Sequence, residues 1–283
     1  MSIGDGPGIR STVFFKGCHF RCAWCHNPET WSPEAQLQHI PDLCIACHSC
    51  VDACPIGALT ALDGNISLDR RLCKSCGACS LKCPSGALSM TGRHVLVEDV
   101  MKEIAMDIPY YIESGGGVTL SGGEPLLQYD FVRELLSQCK ESNIHTAIET
   151  TLDIEQEKLD LLIPLIDLWM VDVKTMDDKA HEIYTGGSNK KTLENLYHLA
   201  TKTKAIIART PVIPGVNDDS NSIERICKYL ISIGIENYEL LPFHNLGFDK
   251  YMRYGIKNRM IGREPLSKSE ILRLKSIIER YGF

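Results

Sequence analysis

Cys18, Cys22 and Cys25 stand at C-x3-C-x2-C spacing in the stretch KGCHFRCAWCHNPET (residues 16–30), and the next cysteine is Cys44. Closed metal sites ordinarily use four protein ligands, so three soft donors on one loop describe a site one ligand short. An iron–sulfur cubane held by three thiolates keeps one iron open, much as a catalytic zinc keeps a position for substrate. Zinc competes for the same residues, because His19 or His26 could complete a Cys3His set.

A second cysteine pattern bears on that choice. Cys44, Cys47, Cys50 and Cys54-Pro55 read C-x2-C-x2-C-x3-C-P, and Cys73, Cys76, Cys79 and Cys83-Pro84 repeat the run 29 positions later. The repeat extends to GAL at 57–59 and 86–88. This is the two-cluster ferredoxin run, whose fourth cysteine ligates the other cluster. One 4Fe-4S cluster is therefore assigned to Cys44, Cys47, Cys50 and Cys83, and the other to Cys73, Cys76, Cys79 and Cys54. Zinc would accept the same thiolates, but two matched runs, each closing on proline, favour iron–sulfur. Cys139 and Cys227, set among apolar residues at helical spacing, read as core cysteines.

The remaining composition narrows the class. Thirteen cysteines in 283 residues, without a secretory leader, point to metal or redox chemistry rather than a disulfide framework, and to a cytoplasmic protein. A net charge of −6 without a basic block argues against nucleic acid as partner. The most apolar run, LLIPLIDLWMV (161–171), is interrupted by Pro164 and Asp167 and is too short to span a membrane.

The elements that must position these residues follow from periodicity. Short β-rich segments at 9–15, 117–120, 144–149, 166–173, 204–209 and 237–243 alternate with amphipathic helices, one from Val97 to Ile108, others near 130–142, 154–163 and 221–233, and a last from about 267. Strand–helix alternation predicts an α/β fold, a partial (β/α)6 barrel with a parallel sheet, and a doubly wound sheet is the alternative. The ferredoxin-like unit interrupts it after the first strand. The expected division is residues 1–40 for the first strand and cysteine loop, 41–92 for the insert, and 93–283 for the rest of the barrel. Every reactive candidate falls at a strand's C-terminal end, where barrel enzymes assemble their sites. SGGEP (121–125) follows the second strand, Glu149 ends the third, Asp172 and Lys174 the fourth, Arg209 the fifth, and His244 follows the sixth. Glycines at the SGGEP turn let a ligand approach the backbone, and a glutamate or carbonyl there can accept from an ammonium group.

GCHFRCAWCHNPE (17–29) together with SGGEPLLQ (121–128) resembles the radical S-adenosylmethionine superfamily. DGPGIR (5–10), DVK (172–174), RTPVIPGVND (209–218) and LLPFHNLG (240–247) narrow the resemblance to the glycyl-radical-enzyme activating enzymes, over nearly the whole chain. The paired cysteine runs resemble the larger type, which carries a two-cluster insert. The resemblance implies an anaerobic, oxygen-sensitive enzyme with three 4Fe-4S clusters. S-adenosylmethionine would bind the open iron of the Cys18/Cys22/Cys25 cluster and be cleaved by one electron to methionine and a 5′-deoxyadenosyl radical. That radical would take hydrogen from a glycine Cα of a partner glycyl radical enzyme.

The resemblance also implies roles by position. Gly122, Gly123 and Glu124 would hold the methionyl amino group, and Trp24 and His26 would line the adenine side. Asp172, Val173 and Lys174 would contact the methionyl end with a monovalent cation, and Glu149 would join that cation's shell where an aspartate is more familiar. Arg209 and His244 would face the adenosyl part. Flavodoxin or ferredoxin would supply electrons, with the insert as relay, docking surface or structural support. Two departures stand out: His19-Phe20 replaces the frequent Pro-Leu, and the chain starts almost on DGPGIR, which reads as a truncated or misassigned start. Competing readings are a radical enzyme acting on a small molecule or peptide, and a ferredoxin-type electron carrier with three closed clusters.

Overall fold

Alternation along each strand of the main sheet sorts its residues onto two unlike faces. Phe15, Val118, Leu120, Ile148, Trp169, Val171 and Ala208 are buried in the principal hydrophobic core, against the helices. Burying such a side chain contributes roughly 1.5–3 kcal/mol. The intervening residues, among them Thr12, Thr119, Ser121, Glu149, Asp172, Arg209 and Glu239, share the opposite face through the strand register.

The structure is a computed structural model that describes residues 2, 4–62 and 64–283. Its strands are β1 (Arg10–Phe15), β2 (Gln36–His39), β3 (Leu59–Leu62), β4 (Asn65–Leu68), β5 (Leu88–Thr91), β6 (Gly117–Gly122), β7 (His145–Thr150), β8 (Leu168–Asp172), β9 (Ile206–Val212) and β10 (Asn237–Pro242). Six of them form one sheet in the order β1-β6-β7-β8-β9-β10, with every pairing parallel. The order follows the chain without reversal. A doubly wound sheet needs a point where strand order turns back, so that alternative is excluded, and the winding is the one expected of a partial barrel. Between β1 and β6, β2 pairs with β5 and β3 with β4 in two small antiparallel sheets. No strands were expected there from periodicity, because four-residue strands beside cysteine ligands leave too short a pattern to read.

The helices keep the expected frames. Tyr129–Glu141 buries Val132, Leu135, Leu136 and Cys139, and Ser220–Ser232 buries Ile223, Ile226, Cys227 and Leu230. Lys268–Arg280 begins with a capping box between Ser267 and Glu270. The helix expected from Val97 to Ile108 instead ends at Met106, and a second runs from Ile108 to Ser114 with Pro109 in its first turn. Proline lacks the N–H that a continuous helix would require there.

DGPGIR lies against the start of β6, with Thr119 Oγ1 donating to the Asp5 carbonyl (2.7 Å). Arg10 is fully buried and donates from Nε to Thr119 Oγ1 (2.6 Å) and from Nη2 to the Val118 carbonyl (2.7 Å). At Gly8, whose φ is +68°, a Cβ would stand 2.5 Å from the Gly116 amide nitrogen. Glycine meets both demands. Among the described residues no helix is long and apolar enough to cross a membrane.

Candidate functional site: a three-thiol pocket at the strand ends

The loop after β1 carries Cys18, Cys22 and Cys25 and is tied down by its own backbone. Gly17 N–H donates to the Thr30 carbonyl (2.7 Å), Arg21 N–H to Thr185 (2.6 Å) and Ala23 N–H to Tyr184 (2.8 Å). The turn after β6 packs directly on this loop: Glu124 N–H donates to the Gly17 carbonyl at 2.8 Å. A Cβ at Gly123 would overlap that same carbonyl oxygen, and one at Gly122 (φ +107°) would lie 2.7 Å from the Phe15 amide nitrogen. Gly123 is thus required by the cysteine loop, and Gly122 by the end of β1.

All three thiols open into one pocket of about 470 Å³. Gly122, Gly123, Asp172 and Lys174 form its polar side, and Trp24, Ile213, Pro242 and Phe243 an apolar wall, with His26 and His244 also in the lining. The two imidazoles stack with centroids 4.0 Å apart, and His26 Nε2 donates to the His244 carbonyl at 2.8 Å. Lys174 lies 2.6 Å from Asp172 Oδ2 and is almost wholly buried. Although burial opposes its charge, the adjacent Asp172 carboxylate holds its pKa above the ordinary value.

Burial pushes the Cys22 thiol up to about 12 and the Cys25 thiol up to about 11, and raises Cys18 as well. Without a metal's positive charge these groups stay protonated at neutral pH, and a coordinating metal would deprotonate them. A thiol raised in the folded state ionises first in the unfolded chain, so the unfolded state binds fewer protons above pH 9. Cluster-free protein is therefore expected to lose stability progressively as pH rises from about 9 to about 12. Denaturant unfolding across that range tests this; a flat or rising profile would contradict it.

Other expected site residues lie just outside the lining. The Glu124 carboxylate turns away from the pocket and accepts from Thr150 Oγ1 (2.7 Å), Thr151 N–H (2.8 Å) and Thr151 Oγ1 (2.6 Å). It thereby fastens the β6 turn to the end of β7. Val173 is buried, and its carbonyl accepts from Thr210 Oγ1. Glu149 accepts from Ser121 Oγ and, at 2.6 Å, from Arg209 Nη1, while Arg209 Nε reaches Glu239 Oε2 at 3.0 Å. These four side chains form a polar chain across the inner face of the sheet. Removing Arg209 would strand the largely buried Glu149 carboxylate. Arg209→Ala is expected to cost roughly 2–4 kcal/mol, measured by chemical unfolding. Adding Glu149→Gln should recover most of that loss, and a double variant no more stable than the single would argue against the pair.

Periodicity did not single out Thr30, Trp31 and Thr151, which also line the pocket, because nothing local marks them. Pro211, Ile213, Leu241 and Phe243 lay within the motifs already noted. Asn217, fully buried, donates to the carbonyls of Lys174 (2.7 Å) and Pro211 (2.9 Å) and so joins the ends of β8 and β9.

The paired cysteine runs gather around two further clefts. Cys54, Cys73, Cys76 and Cys79 line one, and Cys44, Cys47, Cys50 and Cys83 the other. Each cleft thus takes three thiols from one run and its fourth from the other. Among the described residues no three His, Cys, Asp or Glu side chains converge closely enough to hold a single metal ion. A cubane, whose thiolates each bind a different iron, requires no such convergence.

Residues 12–230 match the Radical SAM superfamily model. The chain is 41% identical to the (2S)-3-sulfopropanediol dehydratase activating enzyme of Klebsiella oxytoca, over 95% of this chain and 88% of that protein. It is 38% identical to the indoleacetate decarboxylase activating enzyme of Tractidigestivibacter scatoligenes, over 100% of this chain and 93% of that one. Among solved structures, a domain of a pyruvate-formate lyase-activating enzyme from Bacteroides vulgatus superposes with a TM-score of 0.51 at 29% identity, covering 59% of this chain and 96% of that domain. The chain belongs to the radical SAM superfamily, among the activating enzymes of glycyl radical enzymes.

Proposed function

We propose that this enzyme activates a partner glycyl radical enzyme by enabling removal of a hydrogen atom from one of the partner's glycine Cα positions. The observation that carries the reading is the pocket in which three half-buried thiols, a glycine turn and an Asp–Lys pair share one opening at the strand ends. When bound there, the cluster and S-adenosylmethionine supply a one-electron cleavage of the sulfonium that yields methionine and a 5′-deoxyadenosyl radical.

The chain's own groups hold and orient that chemistry. Cys18, Cys22 and Cys25 would hold the cluster through their three thiolates, which would leave the nucleotide a place on it. Gly122 and Gly123 present backbone to the amino group, with Glu124 acting through the turn it anchors. The Lys174 ammonium would meet the methionyl carboxylate, and Asp172 would be the pocket-side carboxylate for a monovalent cation, whereas Glu149 is engaged by Ser121 and Arg209. Trp24, Ile213 and Phe243 exclude water from the adenosyl side, with the stacked His26–His244 pair beside them.

The two clefts are proposed to hold one 4Fe-4S cluster each, in a ferredoxin-like unit over 36–91, a boundary suggested by the pairing of β2 with β5 rather than with the main sheet. A cytoplasmic flavodoxin or ferredoxin is the proposed donor. Anaerobic mixing with a candidate partner, S-adenosylmethionine and reductant should produce a glycine-centred doublet by electron paramagnetic resonance on the partner. Nucleotide cleavage with no doublet from any glycyl radical enzyme tried would shift the reading to a small-molecule or peptide substrate.

A further inference from the structure

The two cysteine clefts are not equivalent with respect to the three-thiol pocket. β2 and β5 pair antiparallel, Gln36 opposite Thr91 at one end and His39 opposite Leu88 at the other. The Gln36/Thr91 end abuts the barrel: Lys16, directly after β1, donates from Nζ to Gln36 Oε1 (3.3 Å), and its side chain packs on Gly92. The Cys54/Cys73/Cys76/Cys79 cleft includes Leu37, beside that end, and Gly77, against which the Met90 side chain packs. Met90 in turn borders the groove that reaches Trp31 and Cys18. The Cys44/Cys47/Cys50/Cys83 cleft takes His39 and Leu88, the far end. The two ends are separated by three strand residues, roughly 10 Å at about 3.3 Å each.

A second set of contacts makes the same distinction. The short helix Asp249–Arg253 straps the cysteine loop to the insert. Tyr251 Oη donates to the Cys25 carbonyl (2.8 Å), and Lys250 Nζ reaches Asn27 Oδ1 (2.9 Å) and Glu29 Oε1 (2.6 Å). From the insert side, Arg70 donates to the Arg253 carbonyl and to the Leu37 carbonyl (2.8 Å), with its guanidinium over the Tyr254 ring. Arg70 lies three residues before Cys73, whose N–H is bonded back to Asp69. The strap therefore runs from Cys25 to the neighbourhood of Cys73. None of these bonds uses a cysteine of the far cleft.

We propose that the Cys54/Cys73/Cys76/Cys79 cleft is the proximal station for an electron bound for the Cys18/Cys22/Cys25 site, that the Cys44/Cys47/Cys50/Cys83 cleft is the entry station, and that Arg70 and the 249–254 strap fix the proximal contact. A low-potential one-electron donor protein is oxidised by one electron, each station is reduced and reoxidised in turn, and the same electron arrives at the three-thiol site. This inference rests on the proposal that both clefts hold clusters.

Iron content and pulsed electron paramagnetic resonance of the full chain test it. Cys47→Ser and Cys76→Ser should each lose one cluster's iron and signal; no loss in either would refute the cluster reading itself. Magnetic coupling of the three-thiol centre to a reduced neighbour should survive in Cys47→Ser and be lost in Cys76→Ser, and the reverse would overturn the order. Arg70→Gln, which leaves every ligand in place, provides a test even if a cysteine variant fails to fold. Losing a cation near Cys73 should shift downward the potential of the auxiliary centre coupled to the three-thiol site in the wild type. A shift in the uncoupled centre, or in neither, would count against the proposal.

Discussion

Cys22→Ala is expected to reduce S-adenosylmethionine cleavage by on the order of 10³-fold or more, the scale on which removing an essential member of a catalytic unit acts. Cys22 lines the pocket between its two fellow thiols and within electrostatic reach of Lys174. Its loss leaves two thiolates for a cluster that needs three. The measurement is 5′-deoxyadenosine release under dithionite, with iron content in parallel. Any cluster signal arising from the two further clefts should persist, because their eight cysteines are separate from this pocket. Cys139→Ala and Cys227→Ala are the controls: both thiols are fully buried in the core, so stability should fall while cleavage in the folded protein stays at the wild-type level. Cleavage by Cys22→Ala within tenfold of wild type would remove this thiol from the ligand set.

The second large effect is expected from a single methyl group. In Gly123→Ala the new Cβ meets the Gly17 carbonyl oxygen, one residue before Cys18, with the Thr30 carbonyl oxygen only 3.2 Å away. Both obstacles are backbone, so no rotamer change relieves the overlap. The β6 turn and the cysteine loop must separate, weakening the Glu124 N–H bond to Gly17. We expect about 3–5 kcal/mol of destabilisation, at the high end for a single substitution, and at least a tenfold loss of S-adenosylmethionine affinity, read by unfolding and by equilibrium binding. Gly64→Ala, at a glycine with open space around its Cβ position, is the comparison and should cost far less. If Gly123→Ala bound the nucleotide normally, the tight packing of turn on loop would not matter to the site.

Much of this organisation was legible along the chain because its signals are local. Ligand type and spacing are one-dimensional: the loop that carries Cys18, Cys22 and Cys25, and the interleaving of two cysteine runs, require only counting. The helical frames at 129–141 and 220–232 are equally local, since one buried face repeats every three to four residues. Proline at 109 was a local signal too, and its division of the helix was missed because the apolar spacing continues across it. Strand ends could be placed because alternation and turn residues bracket each strand.

The partnerships across the sheet were not legible. Glu149 was expected beside a cation in the pocket, yet it lies with Ser121 and Arg209, and Glu239 completes the chain. Glu124 was grouped with the glycines that precede it, but its carboxylate faces Thr150 and Thr151. Two adjacent residues on a strand or turn point to opposite sides, and which neighbour each one meets depends on inter-strand register.

By itself, then, the sequence determined which atoms are available for chemistry: eleven thiols in three groups, a glycine turn, and charged groups at successive strand ends. The tertiary structure decided which of them share a pocket, which pin the scaffold, and which cysteine cleft faces the site. Register, sheet curvature and the 249–254 strap arise from packing between segments far apart in the chain, and such packing leaves no periodic trace in either segment alone.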